Sequence, residues 1–374
     1  MRAFEWIQGQ PLAAEAPRWA LVYATEGAPF EQAVRTLSAR YRGIQVFGTT
    51  SFQGVFCRKG FPRGVHVLVS EAKDEIDAAS VLRATQPSRA RTDARAAALA
   101  LVKSLGRAPA AILLHATPGF EERILEGIDD AFEGSPPPVY GGSAADDTIG
   151  GKWRVFGTTG VEAQGFVLAG FASPRPIHGS FVAGYSPSAT RGKVTEAQGR
   201  LVRTIDGQPA ARVYNAWTDG SVEAQLGGGI VLAATTLRPL GRLIDRIGSV
   251  PRYLLSHPHE IHADGSMSLF TEVSVGDELV LMVGSVDSLL DRTNHVADRA
   301  RGAGRGVLGA ILVYCGGCVG AIGAHTADVS ATFSRRIGDA PFLGAATFGE
   351  QGCFPGPRSV NRHGNLMCDA LFFQ

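Results

Sequence analysis

Three groups of side chains in this sequence have the types and spacing for chemistry. The first is Cys315-Gly-Gly-Cys318. It has redox-pair spacing, and a helix beginning near Cys318 would lower a thiol pKa. A lone C-x-x-C cannot complete a zinc site, and free cysteine is also an ordinary apolar filler, so reactivity and plain packing both stay open. The second is His257-Pro-His259-Glu-Ile-His262, close enough together to serve a metal. Pro258 removes the helical i, i+4 geometry, and an exposed polar turn is the plainer account. The third is Gly349 to Asn365, which crowds Glu350, Gln351, Arg358, Asn361, His363 and Asn365 beside a glycine. Specificity groups of a mostly apolar pocket would look like this, as would a solvated loop. No Ser-His-Asp order, phosphate loop or paired-carboxylate motif is legible.

These groups hang on a pattern used three times. The run P-F-L-G-A-A-T-F-G-E-Q-G from Pro341 has weaker copies in V-F-G-T-T-S-F around Gly48 and V-Y-G-G-S-A-A around Gly141. Each reads as a buried strand ending in a glycine elbow. Ahead of each stands an apolar strand closed by Tyr23, His115 or Tyr314, and 25, 26 and 30 residues separate these from Gly48, Gly141 and Gly344. That is room for one helix. After each elbow come a polar excursion and another apolar strand, so the unit is strand, helix, strand, elbow, hairpin. Parallel strands need a crossover, so the fold class is α/β, with mixed sheets flanked by helices. We expect two related domains, residues 1–174 and 175–374, divided near Pro174 and Pro176.

The small residues at the elbows, Gly48, Thr49, Thr50 and Ser51, Gly141, Gly142 and Ser143, and Gly344 through Thr347, could offer backbone N–H groups and hydroxyls to a ligand. Glycines that merely let the chain turn between layers are the alternative. Tyr23 and His115 hold the same place in two repeats beside the expected cleft, where satisfied hydrogen bonding suits them better than ligation. Elsewhere, residues 1–19 read as a loose lead-in and 71–90 as indeterminate. Thr92–Leu105 and Phe120–Phe132 read as helices. Asp206-Gly207, Asp264-Gly265 and Gly276-Asp277 read as turns between strands.

Composition narrows the function classes. Among 374 residues, 45% are hydrophobic and 36 basic residues face 35 acidic ones, for a net charge of +1. No basic surface for nucleic acid follows from that balance. The N-terminus carries no apolar signal core, and five cysteines fit a reducing cytoplasm better than a disulfide framework. Gly306 to Ala324 holds no charge over nineteen residues, but its six glycines read as a buried strand, a turn and a helix start, not a membrane span.

The chain resembles the FIST proteins, a bacterial sensory module of an N-terminal FIST domain and a FIST-C domain. The resemblance covers nearly the whole chain. It rests on V-F-G-T-T-S-F, V-Y-G-G-S-A-A-D-D from Val139, the Cys-x-Gly turn at Cys315, P-F-L-G-A-A-T-F-G-E and the His-x-Asn of His363 to Asn365. It implies a cytoplasmic sensor that binds a small ligand, an amino acid or similar metabolite, in the cleft between its domains, with Asp146 and Asp147 joining the elbow residues there. It also implies a separate signalling partner, a histidine kinase or cyclic-dinucleotide enzyme. Some members bind haem and sense nitric oxide, which makes haem the cofactor to test, with His115 and the His257 cluster as candidate ligands. Many relatives carry an Arg where Cys318 stands and a Gly-Glu pair where Gln53-Gly54 stand, and losing that Arg weakens the case for carboxylate binding by this turn. The rival reading is an enzyme with Cys315 or Cys318 as nucleophile and His325 or His363 as base.

Overall fold

In the computed structural model, which describes residues 1–10, 16–247, 250–301, 306–354 and 360–374, the three repeats become three sheets of one plan. The first unit runs β1 (Arg2–Trp6), β2 (Pro17–Thr25), α1 (Phe30–Arg40), β3 (Gln45–Ser51), β4 (Val55–Phe56) and β5 (Val65–Glu71). The second runs β6 (Asp77–Ala84), α2 (Ala90–Leu105), β7 (Ala111–Ala116), α3 (Glu121–Ala131), β8 (Val139–Ser143), β9 (Val155–Gly157) and β10 (Gly165–Ala172). The third opens with β11 (Ile177–Ala183). It resumes with α4 (Val286–Arg301), β12 (Gly309–Cys315), α5 (Gly316–Ile322), α6 (Thr326–Ile337), β13 (Phe342–Thr347), β14 (Glu350–Phe354) and β15 (Met367–Phe373).

In every unit the first strand pairs in parallel with the elbow strand: β2 with β3, β7 with β8, β12 with β13. The closing strand returns antiparallel on the other side of the first. Strands buried on both faces become near-continuous apolar runs, which is why A-L-V-Y-A, A-I-L-L-H-A and A-I-L-V-Y-C stood out.

The units interlock in a ring. Strand β9 of the second unit pairs with β3 of the first, β14 of the third with β8 of the second, and β4 of the first with β13 of the third. Each elbow strand thus receives its outer neighbour from another unit, and hydrogen bonds cross residue 174 in both directions. The inner faces share one core, in which Trp19 meets Phe47, Phe171 and Phe373 at ring distances of 5.7, 5.4 and 5.6 Å. Between β11 and α4 sits an insertion, a nine-stranded antiparallel sheet with a separate core around Val202, Tyr214, Leu240 and Met267.

Several expectations need correction. The first residues of the lead-in, 1–6, are not loose, because β1 pairs with β5 and the Met1 ammonium bonds Asp74. The indeterminate stretch contains β6, an edge strand of the second sheet. The elbow glycines lie inside strands, not at turns. A Cβ on Gly48 would overlap the Val22 carbonyl, one on Gly141 the Leu114 carbonyl, and one on Gly344 would press on Leu312 and Phe56. Glycine is needed there because adjacent backbone and side chains occupy the Cβ position. No helix among the described residues is long and apolar enough to cross a membrane, and the uncharged stretch contains β12 and α5.

Candidate functional site

The carboxyl ends of parallel strands from all three units converge on one cavity of about 470 Å3. Phe52 follows β3, Glu121 follows β7, Trp153 lies in the loop after β8, and Phe348 follows β13. Gly316, Gly317 and Gly320 of α5, directly after β12, form a wall without side chains. The insertion closes the opposite side with Arg200, Leu232, Thr236, His257 and Phe270. Loops and helix starts leave a sheet at its carboxyl ends, so crevices in open α/β sheets form there.

Arg200 defines the polar end. Its Nη2 lies 2.6 Å from Glu121 Oε2 and 2.5 Å from Glu122 Oε2, while Nε and Nη1 make no hydrogen bond among the described residues. Glu121 is fully buried, and also accepts from the Ser143 hydroxyl at 2.7 Å and the Gly119 N–H at 2.9 Å. Burial pushes its carboxyl up, but the charges of Arg200 and His363 and the Ser143 bond prevail and hold it at about 2. Glu121, Glu122 and His363 stand close enough to hold a metal ion. Arg200 already supplies the positive charge there, so a cation would have to displace its guanidinium.

Behind this end runs a buried network. Gln351 Nε2 lies 3.2 Å from Ser143 Oγ and 3.0 Å from His363 Nδ1, and His363 Nε2 lies 3.3 Å from the Phe270 carbonyl. Asn365 stands in the cavity wall. Its Oδ1 accepts from the His257 N–H at 3.3 Å, which fixes the amide orientation and leaves Nδ2 without a partner. His257 Nε2 lies 3.2 Å from the Leu232 carbonyl, and burial pulls the imidazole down to about 4, so it is neutral.

Of the residues singled out from sequence, His257, Cys315 and Asn365 line the cavity, and Ser143 and His363 lie just behind it. Thr347 donates to Glu350 at 2.9 Å, and burial pushes that carboxyl well above its ordinary pKa. Tyr23 Oη lies 3.0 Å from His115 Nε2, and His115 Nδ1 2.8 Å from the Gly142 carbonyl, so both rings are satisfied away from the wall. Thr49 and Thr50 bond the Arg154 carbonyl, and Ser51 accepts the Ala346 N–H, tying neighbouring units together. Asp146 caps Thr148, Gly150 and Lys152, and Asp147 pairs with Arg63, so these acids shape the loop that carries Trp153. Cys318 is fully buried, and Arg358 lies outside the described residues. His259 and His262 both bond Ser268, so the histidine cluster does not converge on a metal.

Arg200, Glu121, Trp153 and Phe270 escaped the sequence reading. One signal was present, since an aromatic, Phe52 or Phe348, follows two of the three elbows.

Two family models match the chain: FIST N domain over residues 18–208 and FIST C domain over residues 210–353. The chain belongs to the FIST family. FIST domains are small-ligand sensory domains of signal transduction. Among curated proteins nothing matches the chain. Both FIST domains wall the cavity, Phe52, Trp153 and Arg200 from the first and His257, Phe270 and Cys315 from the second.

The groups of this FIST cavity meet the needs of haem only in part. An axial ligand needs a free lone pair in an apolar pocket. His257 donates through Nε2 to the Leu232 carbonyl, which leaves its lone pair on Nδ1 alone, and burial keeps the Cys315 thiol well above its ordinary pKa. The arginine that could meet a propionate is already shared by two carboxylates. The two bases expected for a cysteine enzyme are engaged elsewhere: His325 pairs with Asp328 on the surface and His363 lies 3.0 Å from Gln351 Nε2.

Proposed function

We propose that this FIST protein is a cytoplasmic sensor that binds a small polar metabolite of the amino-acid type in the cavity between its two FIST domains. The observation that carries this reading is the placement of one largely apolar cavity at the strand ends of all three units, with its charged groups gathered at one end. The Nε–H and Nη1–H donors that Arg200 leaves free suit carboxylate oxygens, and the excess negative charge of Glu121 and Glu122 suits an ammonium. A zwitterion with an apolar side chain meets both demands. The signal would pass to a separate histidine kinase or cyclic-dinucleotide enzyme. The test is a thermal-shift screen of the whole chain against amino acids and related metabolites, with an absorption spectrum of the haem-supplied protein alongside. A metabolite that raises Tm in the wild type but not in Arg200→Met supports the reading. A Soret band with no stabilising metabolite would favour the gas-sensing alternative.

A further inference from the structure

Beneath the glycine wall of the cavity lies a buried cation without a carboxylate partner. Arg292 of α4 is fully buried, with its guanidinium carbon 4.0 Å from the Tyr314 ring centre. Its Nη1 donates to the Leu366 carbonyl at 2.6 Å, whereas Nε and Nη2 have no hydrogen-bond partner. A buried guanidinium left this way is costly unless a negative charge stands beside it. The groups around it are Cys318, Tyr314, Cys368 and Tyr185, with Glu350 close by. Burial raises Tyr314, Tyr185, Cys368 and Glu350, which disfavours the charged form of each. Cys318 alone goes the other way: burial raises it, but the bond from Cys315, the charge of Arg292 and the Tyr185 hydroxyl at 3.6 Å prevail and hold it at about 6. The helix start foreseen from sequence is not needed for this effect, because α5 is only seven residues long.

We propose that Cys315 and Cys318 form a reversible dithiol–disulfide element in the cavity wall, with Arg292 as the buried counter-ion of their shared thiolate and a small hydroperoxide as oxidant. Cys315 reaches the cavity and Cys318 does not. The pair holds one proton between two sulfurs, and moving it from Cys315 to Cys318 places the thiolate on the wall. That sulfur attacks the distal peroxide oxygen, the O–O bond breaks, and the departing alkoxide takes the Cys318 proton, leaving a Cys315 sulfenic acid and an alcohol. The Cys318 thiolate, steadied by Arg292, then attacks the Cys315 sulfur. The S–O bond breaks, and hydroxide leaves as water after taking a solvent proton. Two sulfurs are oxidised by one electron each and one peroxide is reduced. This element depends on the cavity but not on the identity of the metabolite.

The test treats the reduced full chain with hydrogen peroxide across a pH series and maps the cysteines by peptide mass spectrometry. The expected result is loss of two of the five thiols and one disulfide joining Cys315 to Cys318, with a rate that rises through a midpoint near 6. Arg292→Met should move that midpoint up toward the ordinary thiol range. Cys318→Ser, which leaves the arginine in place, should stop Cys315 at a sulfenic acid trapped by dimedone. Oxidation spread evenly over all five cysteines, no 315–318 disulfide, or no dimedone adduct in Cys318→Ser would overturn the proposal.

Discussion

Arg200 Nη2 lies 2.6 Å from Glu121 Oε2, joining the inserted sheet to the first turn of α3 at the edge of the cavity. The pair ties the insertion to the second unit and sets the charge at the polar end of the pocket. Arg200→Met leaves a fully buried carboxylate without its counter-charge, which costs about 3–5 kcal/mol. Urea unfolding should read this loss, and adding Glu121→Gln should recover most of it. Equal stability of wild type and Arg200→Met would show that the pair is not formed.

Glu121 also gives the chain an acid limb. Its folded pKa, about 2, lies below the ordinary 4.5, so the folded state binds fewer protons in that window. Its contribution is full above the ordinary value and is lost as pH falls toward 2. The urea midpoint of the wild type should therefore drop more steeply on acidification than that of Glu121→Gln. Parallel pH curves would contradict the assignment.

His115 and His257 act at higher pH. Burial holds both near 4 against an ordinary 6.5, so their neutral forms stabilise the fold above 6.5 and that contribution is lost as pH falls toward 4. Their ring resonances in NMR should stay fixed from neutral pH down to about 5. A midpoint near the ordinary value for either ring would place it in contact with solvent.

The glycines divide into two kinds. Gly48→Ala or Gly141→Ala drives a methyl into a neighbouring carbonyl and should cost about 3 kcal/mol or more. Gly320 has open space at its Cβ position, so Gly320→Ala should stabilise α5 by about 0.5–1 kcal/mol. Thermal unfolding of the three variants checks the contrast, and the reverse order would undo the account of the elbows.

Much of the core was legible because buried parallel strands are near-continuous apolar runs and their crossover helices fix the spacing between Tyr23 and Gly48 or His115 and Gly141. The elbow motif was legible but its role was not, since a glycine that admits a neighbouring carbonyl looks the same in sequence as one that turns the chain. The ring closure was hidden too. Its links are short, such as Val55–Phe56 of β4 against Ala345 and Gly344, and pairing across that separation leaves no local period. The site was half visible: Cys315 and Asn365 belong to motifs, whereas Arg200 reaches the cavity from a turn between strands, where an arginine ordinarily meets only water.

Occupancy of the cavity by a metabolite is tested most directly by isothermal titration calorimetry of the wild type and Gly320→Phe with the compound that raises Tm in the screen. Gly320 lines the cavity and has open space at its Cβ position, so a bulky side chain there should fill the pocket at little cost to the fold, and the variant is expected to unfold like the wild type. The account predicts saturable heat for the wild type and none for Gly320→Phe. Undiminished affinity in a folded Gly320→Phe would place the ligand elsewhere and contradict the account.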